Sequence, residues 1–77
     1  MDKDELIDKL RKNLREALSR VEIAVVELSS GKLEVAQGYY DGTARSLEER
    51  DIDISDSNTR YQSLLESADK KGMTVRR

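Results

Sequence analysis

The sequence contains no cysteine, histidine, proline, tryptophan or phenylalanine. Without cysteine, no disulfide can stabilise the chain, and without both cysteine and histidine the common zinc ligand sets are missing. A chain of 77 residues can form only one modest hydrophobic core. We therefore expect a single small domain that gains stability by self-assembly or by docking on a partner.

A large excess of either sign of charge is also lacking. The 14 Lys and Arg residues face 16 Asp and Glu residues, which leaves a net charge of −2. This balance gives no general attraction to nucleic acid or to an anionic membrane. The acidic N-terminus has no apolar run typical of a signal peptide, and no stretch has the length and hydrophobicity needed to span a bilayer. We expect a soluble, cytoplasmic protein with no membrane partner.

Apolar residues recur in steps of three and four from Leu6 to Leu28, which predicts an amphipathic helix over about residues 3–30. Gly31 is the predicted residue that ends it. Ile23 and Val26 lie beside the main apolar stripe, so one core face does not account for them. We expect the hairpin, the second helix or a neighbouring subunit to cover these two side chains.

The next segment has residues typical of strands before Asp41-Gly42, a dipeptide that favours a tight hairpin turn. The sequence therefore predicts a β-hairpin over about residues 33–47, with Asp41 and Gly42 as turn residues. Tyr39 and Tyr40 would point to opposite faces of the strand, so one of them would be exposed. An exposed tyrosine beside a tight turn is a candidate anchor for a partner.

A second helix is predicted over about residues 56–71, because Ser, Asp, Asn and Thr residues cluster before its apolar positions and Gly72 follows its basic last turn. The predicted fold class is α+β, with two amphipathic helices flanking a β-hairpin in a single domain of residues 1–71. Residues 72–77 are predicted to be a flexible tail.

No catalytic or metal site is predicted. Without His or Cys, no nucleophile and base fall at a recognisable spacing, so the chain is not expected to be an enzyme or to hold a cofactor. Asp51-x-Asp53-x-Ser55 superficially resembles a calcium loop, but Asp56 stands where that loop needs glycine and Gln62 where it needs glutamate. Solvated surface acids are the better interpretation.

Basic residues cluster in two places, the first helix and the C-terminal tail. In the first helix, Lys9 and Lys12 are matched by acids four residues earlier and no aromatic residue interleaves with the basic ones, which favours an ordinary helix surface over a DNA-binding face. The basic residues around the tail form either a helix-ending charge run or a segment that becomes ordered on a partner. The tail candidates for partner contact are Gly72, Met73, Thr74, Val75, Arg76 and Arg77.

Three short stretches carry a family resemblance: Leu28-Ser29-Ser30-Gly31-Lys32, then Asp41-Gly42, then Gly72-Met73-Thr74-Val75-Arg76-Arg77. In this order and spacing they resemble the gpW-type head-to-tail joining (head-completion) proteins of long-tailed bacteriophages. The family's fold is two helices flanking a β-hairpin. The resemblance covers roughly residues 17–77.

The resemblance implies a virion protein of the head-tail connector, or neck. Such a protein binds below the portal of the DNA-filled head, helps to retain the genome and offers a docking surface to the tail or adaptor. It would be a monomer or weak oligomer alone in the host cytoplasm and a homo-oligomeric ring on the virion. Tyr39, Tyr40 and residues 72–77 would contact these partners, with the tail cations near DNA in the channel.

Two alternatives stay open. The chain could be a small regulatory protein, such as an inhibitor, that docks a helical face on a host or phage enzyme. A nucleic-acid binder is the third hypothesis, and the acidic charge balance disfavours it.

Overall fold

The structure, a computed structural model, describes residues 2–77. It contains three helices: α1 is Lys3–Val26, α2 is Ser30–Glu48 and α3 is Ser55–Lys70. The short link between α1 and α2 makes them an antiparallel pair. α1 packs against both α2 and α3. Residues 2–77 contain no strand, so the protein is an all-α domain.

The predicted α+β fold is therefore wrong, and the error lies in the hairpin. Residues 33–47 belong to α2, and the predicted turn residues Asp41 and Gly42 lie inside that helix. The buried residues of α2 follow steps of three and four: Leu33, Ala36, Gln37, Tyr40, Ala44 and Leu47. Burial of this stripe outweighs the turn propensity of Asp-Gly and the weak helix propensity of glycine.

The end of α1 also differs from the prediction, because the helix ends at Val26 and not near residue 30. Leu28 takes the left-handed conformation, with φ of 57°. The Ser29 N–H then donates to the Ala24 carbonyl at 3.0 Å, which closes the helix end. Gly31, predicted to be the stop, lies instead in the first turn of α2.

The ends of α3 are set by local hydrogen bonds. The Asp53 carboxylate accepts a bond from the Ser55 N–H at 2.9 Å, at the start of the helix. At the other end Gly72 has φ of 78°, and the Met73 N–H donates to the Ala68 carbonyl at 3.0 Å. This left-handed residue turns the chain back towards α2.

The core collects apolar side chains from all three helices and from the link before α3. Between α2 and α3 the rings of Tyr40 and Tyr61 stack, with centroids 3.9 Å apart and planes inclined by 19°. The buried apolar residues are Leu14, Ala17, Val21, Ala24, Val25, Leu33, Ala36, Tyr40, Ala44, Leu47, Ile54, Tyr61, Leu64, Leu65 and Ala68.

The helical state of residues 33–47 can be tested at Gly42. A Cβ built there meets no atom within 4 Å, so Gly42→Ala should raise the free energy of unfolding by about 0.5–1 kcal/mol. Urea denaturation followed by circular dichroism measures this. A type I′ turn would require positive φ at residue 42, so a destabilised Gly42→Ala variant would support the hairpin instead. The control is Gly72→Ala, which should be destabilising because of the positive φ.

Candidate interaction surfaces

Five large apolar side chains are exposed on the structure, with exposed fractions from 53% to 71%. They lie at the end of α1, in the link to α2 and on the side of α2 that faces away from the core. We call them the outer face: Ile23, Val26, Leu28, Val35 and Tyr39. Ile23 and Val35 of this set line one groove, so part of the exposed apolar surface is contiguous, as is typical of contact sites.

A groove of about 380 Å³ runs through the outer face between α1 and α2. Ile23 of α1 and Val35 of α2 line it. Gly31 and Ala36 also line it, and their small size keeps it open. The sequence had left open whether the hairpin, the second helix or another subunit covers Ile23 and Val26. Ile23 remains 53% exposed and Val26 71% exposed.

The two neighbouring tyrosines have different environments. Tyr39 is exposed, and the Arg20 guanidinium lies 5.6 Å from its ring centroid, within cation–π distance. Tyr40 is only 1% exposed and its hydroxyl donates to Asn58 Oδ1 at 2.8 Å. Successive helical residues point about 100° apart, which explains the difference without a strand. Tyr39 is the member of this pair that a partner can reach.

Residues 72–77, predicted to be a flexible tail, lie against α2 and α3. The Thr74 N–H donates to the Ser30 hydroxyl at 3.1 Å, near the start of α2. Met73 and Val75 are partly buried against the core. Arg77 pairs with Asp69 of α3. We call the surface that receives this segment the tail groove, and we define it by Ser30, Gln37, Asp41 and Asp69.

Gln37 makes the most specific contact in the tail groove. Its side chain is 1% exposed, and Nε2 donates to the Arg76 carbonyl at 2.7 Å. The Arg76 N–H donates back to Oε1 at 3.1 Å. One buried amide is thus satisfied by the main chain of one residue. A buried amide without its partners would cost about 1–3 kcal/mol, so the segment stabilises the site that holds it.

Asp41 connects the tail groove to the stacked tyrosines. One of its carboxylate oxygens lies 3.2 Å from the Arg76 guanidinium, and the other accepts from the Tyr61 hydroxyl at 3.3 Å. The predicted turn residue is therefore part of a polar cluster on α2. The ion pair is about half exposed, so it contributes orientation more than stability.

Burial shifts the pKa values of the two stacked tyrosines. It raises the pKa of Tyr40 from 10.0 to about 12, with smaller contributions from Tyr61 and from the charges of Asp41 and Glu48. Burial also raises the pKa of Tyr61. Both phenols donate hydrogen bonds between α2 and α3, Tyr40 to Asn58 and Tyr61 to Asp41.

The acidic residues before α3 have a local structural role. Hydrogen bonding from Ser55, first of all from its backbone N–H, lowers the pKa of the exposed Asp53. Asp51, in the link between α2 and α3, adopts φ of 59°. Over residues 2–77 no three metal-ligating side chains come together.

Three residues of these surfaces were not predicted from the sequence: Gln37, Val35 and Leu28. Gln37 occupies a core position of the α2 stripe between Leu33 and Tyr40, at a spacing that was visible in the sequence. A glutamine at such a position signals a buried hydrogen-bonded site. No sequence signal places the main chain of Arg76 beside it.

Comparison with known protein families, curated protein sequences and solved structures finds no match to this chain. Among the described helices, none combines the length and the hydrophobicity that crossing a membrane requires. The outer face and the tail groove are therefore the features from which a function can be inferred.

The pKa of Tyr40 predicts a loss of stability at high pH. The folded state keeps the phenol neutral to about pH 12, whereas the unfolded chain releases the proton near pH 10. The neutral phenol's contribution to the free energy of unfolding is complete below pH 10. It falls by about 2 kcal/mol as the pH rises to about 12. Urea unfolding across this range measures it. The Tyr40→Phe variant has no phenol proton at this position, so its free energy of unfolding should fall less steeply with pH. An equally steep fall would contradict the assignment of the effect to Tyr40.

Leu28 offers a test of backbone strain on the outer face. The left-handed conformation destabilises the folded chain by roughly 1–2 kcal/mol when the residue is leucine, but not when it is glycine. Leu28→Gly should therefore raise the free energy of unfolding by about 1 kcal/mol. Leu28→Ala removes the same exposed side chain but keeps the strain, so it should not stabilise the protein. Thermal or urea unfolding compares the two variants. Equal stability of both would show that the strain is absent.

Proposed function

We propose that this protein acts by binding another protein and not by catalysis, and that it docks the outer face on a helix of its partner. The observation that carries the proposal is the apolar groove between α1 and α2, which Ile23 and Val35 line while both remain more than half exposed. Burial of such side chains at an interface releases free energy in proportion to the apolar area removed from water.

The exposed side of α2 is unusually smooth. Gly31, Val35, Gly38 and Gly42 are spaced by four, three and four residues, which places them on one side of the helix. A Cβ at any of the three glycines would meet nothing within 4 Å. Each of these exposed glycines makes the helix less stable than alanine would, by up to about 1 kcal/mol. The absence of side chains permits close approach of a partner's backbone.

The chemistry of the groove indicates the kind of helix that fits it. Its centre is apolar, and the basic side chains of Arg20 and Lys32 stand at its edge. Lys32 already pairs with Glu27 at 2.6 Å, while Arg20 lies against Tyr39. An amphipathic helix with an apolar stripe and acidic residues along one border would complement this arrangement.

This proposal follows the hypothesis of a small regulatory protein that docks a helical face. We do not extend it to a phage neck, because residues 2–77 lack the hairpin of the architecture that the resemblance implied. The absence of His and Cys from the sequence supports a role in binding rather than catalysis.

Crosslinking from the outer face tests the proposal. A photoreactive amino acid at position 35 should crosslink to one partner protein in cells of the native source, and the same group at Ser63, exposed on α3, should not. Val35→Glu should then weaken binding of the purified partner at least about tenfold, because it places a charge in the apolar groove. Ser63→Glu should bind as the unmodified chain does.

Three results would contradict the docking proposal. Equal crosslinking from both positions would mean that the outer face has no special role. A crosslinked dimer of the chain itself would assign the face to self-association. Unchanged partner affinity in the Val35→Glu variant would place the contact elsewhere.

A further inference from the structure

We propose that the tail groove is a binding site for extended peptide segments of another protein, and that residues 73–77 occupy it as a competing ligand within the same chain. The segment it favours has an apolar residue followed by arginine, as Val75 and Arg76 show. This site is separate from the outer face and does not depend on the function proposed for that face.

Gln37 recognises main chain and not side chain. Its amide both donates to the carbonyl and accepts from the N–H of Arg76. The two groups of one residue point to the same side only where a chain is extended, as in the hydrogen-bonded pairs of an antiparallel sheet. Gln37 therefore offers a paired hydrogen bond to any extended segment that enters the groove.

The neighbouring side chains add sequence preference. The Asp41 carboxylate, which also accepts from Tyr61, lies 3.2 Å from the Arg76 guanidinium and favours arginine at this position. Val75 and Met73 are partly buried against the core, which favours apolar residues one and three places earlier. The preferred pattern is apolar, any residue, apolar, arginine.

The segment of the same chain is held in a way that permits exchange. It follows Gly72 directly, where the chain turns away from α3. Its two ion pairs, from Arg76 and Arg77, are about half exposed and so add little affinity. Its advantage is its high effective concentration, which a second chain overcomes by binding more tightly or by contacting another surface at the same time.

The full-length chain with Val75→Asp and Arg76→Glu tests the site, because the first change places a charge against the core and the second places one against Asp41. Together they should release the chain's own segment. The probe is a fluorescein-labelled peptide, Met-Thr-Val-Arg-Arg, and fluorescence anisotropy measures its binding. The variant should bind it at least about tenfold more tightly than the unmodified chain, whose segment competes. Adding Gln37→Leu to the variant should weaken binding at least about tenfold.

A matched control peptide carries an N-methyl group on the first arginine amide. It has the same charge but lacks the N–H that would donate a hydrogen bond to Gln37 Oε1, so it should bind at least about tenfold more weakly. Equal binding of the two peptides would show charge attraction only and would overturn the proposal. Failure of the variant to bind the peptide while it remains helical by circular dichroism would also overturn it.

A second measurement uses the unmodified chain, in case the variant with Val75→Asp and Arg76→Glu does not fold. Hydrogen exchange of the Arg76 N–H should become faster when the unlabelled peptide is added at millimolar concentration, while the core amides of α2 keep their protection. Unchanged exchange of this N–H at saturating peptide would show that the segment is a permanent part of the fold and that the groove takes no ligand.

Discussion

The packing of α2 on α1 is the interaction on which the rest of the structure depends. It buries a stripe of α2 that includes Leu33, Ala36 and Leu47, and alanines on both helices let the two backbones approach closely. This burial keeps residues 33–47 helical although Gly38 and Gly42 weaken the helix. The orientation that results turns Val35 and Tyr39 outwards and Gln37 and Tyr40 inwards.

Two surfaces follow from that orientation, and they differ in character. The outer face is apolar and smooth, with a groove between α1 and α2. The tail groove is polar, and Gln37 recognises an extended main chain by paired hydrogen bonds. α2 contributes to both surfaces on different sides. A single helix thus presents an apolar surface on one side and a hydrogen-bonding surface on another.

The tyrosine pair links the second surface to the core. Tyr40 and Tyr61 stack between α2 and α3, and the hydroxyl of Tyr61 donates to the carboxylate that orients Arg76. Neutral phenols serve this purpose because they donate a hydrogen bond without adding a buried charge. The geometry of the tail groove is thus fixed by the same contacts that hold α3 in place.

The sequence by itself determined the presence of amphipathic helices at both ends of the chain, because their apolar periods are long and regular. It also indicated that Ile23 and Val26 exceed what one core face needs. Only the tertiary structure decided the state of residues 33–47, since Asp41-Gly42 favours a turn locally and the stripe from Leu33 to Leu47 favours a helix once α1 covers it. The partner of Gln37 was likewise decided in three dimensions, because a side-chain amide that binds main chain 39 residues away leaves no pattern in the sequence.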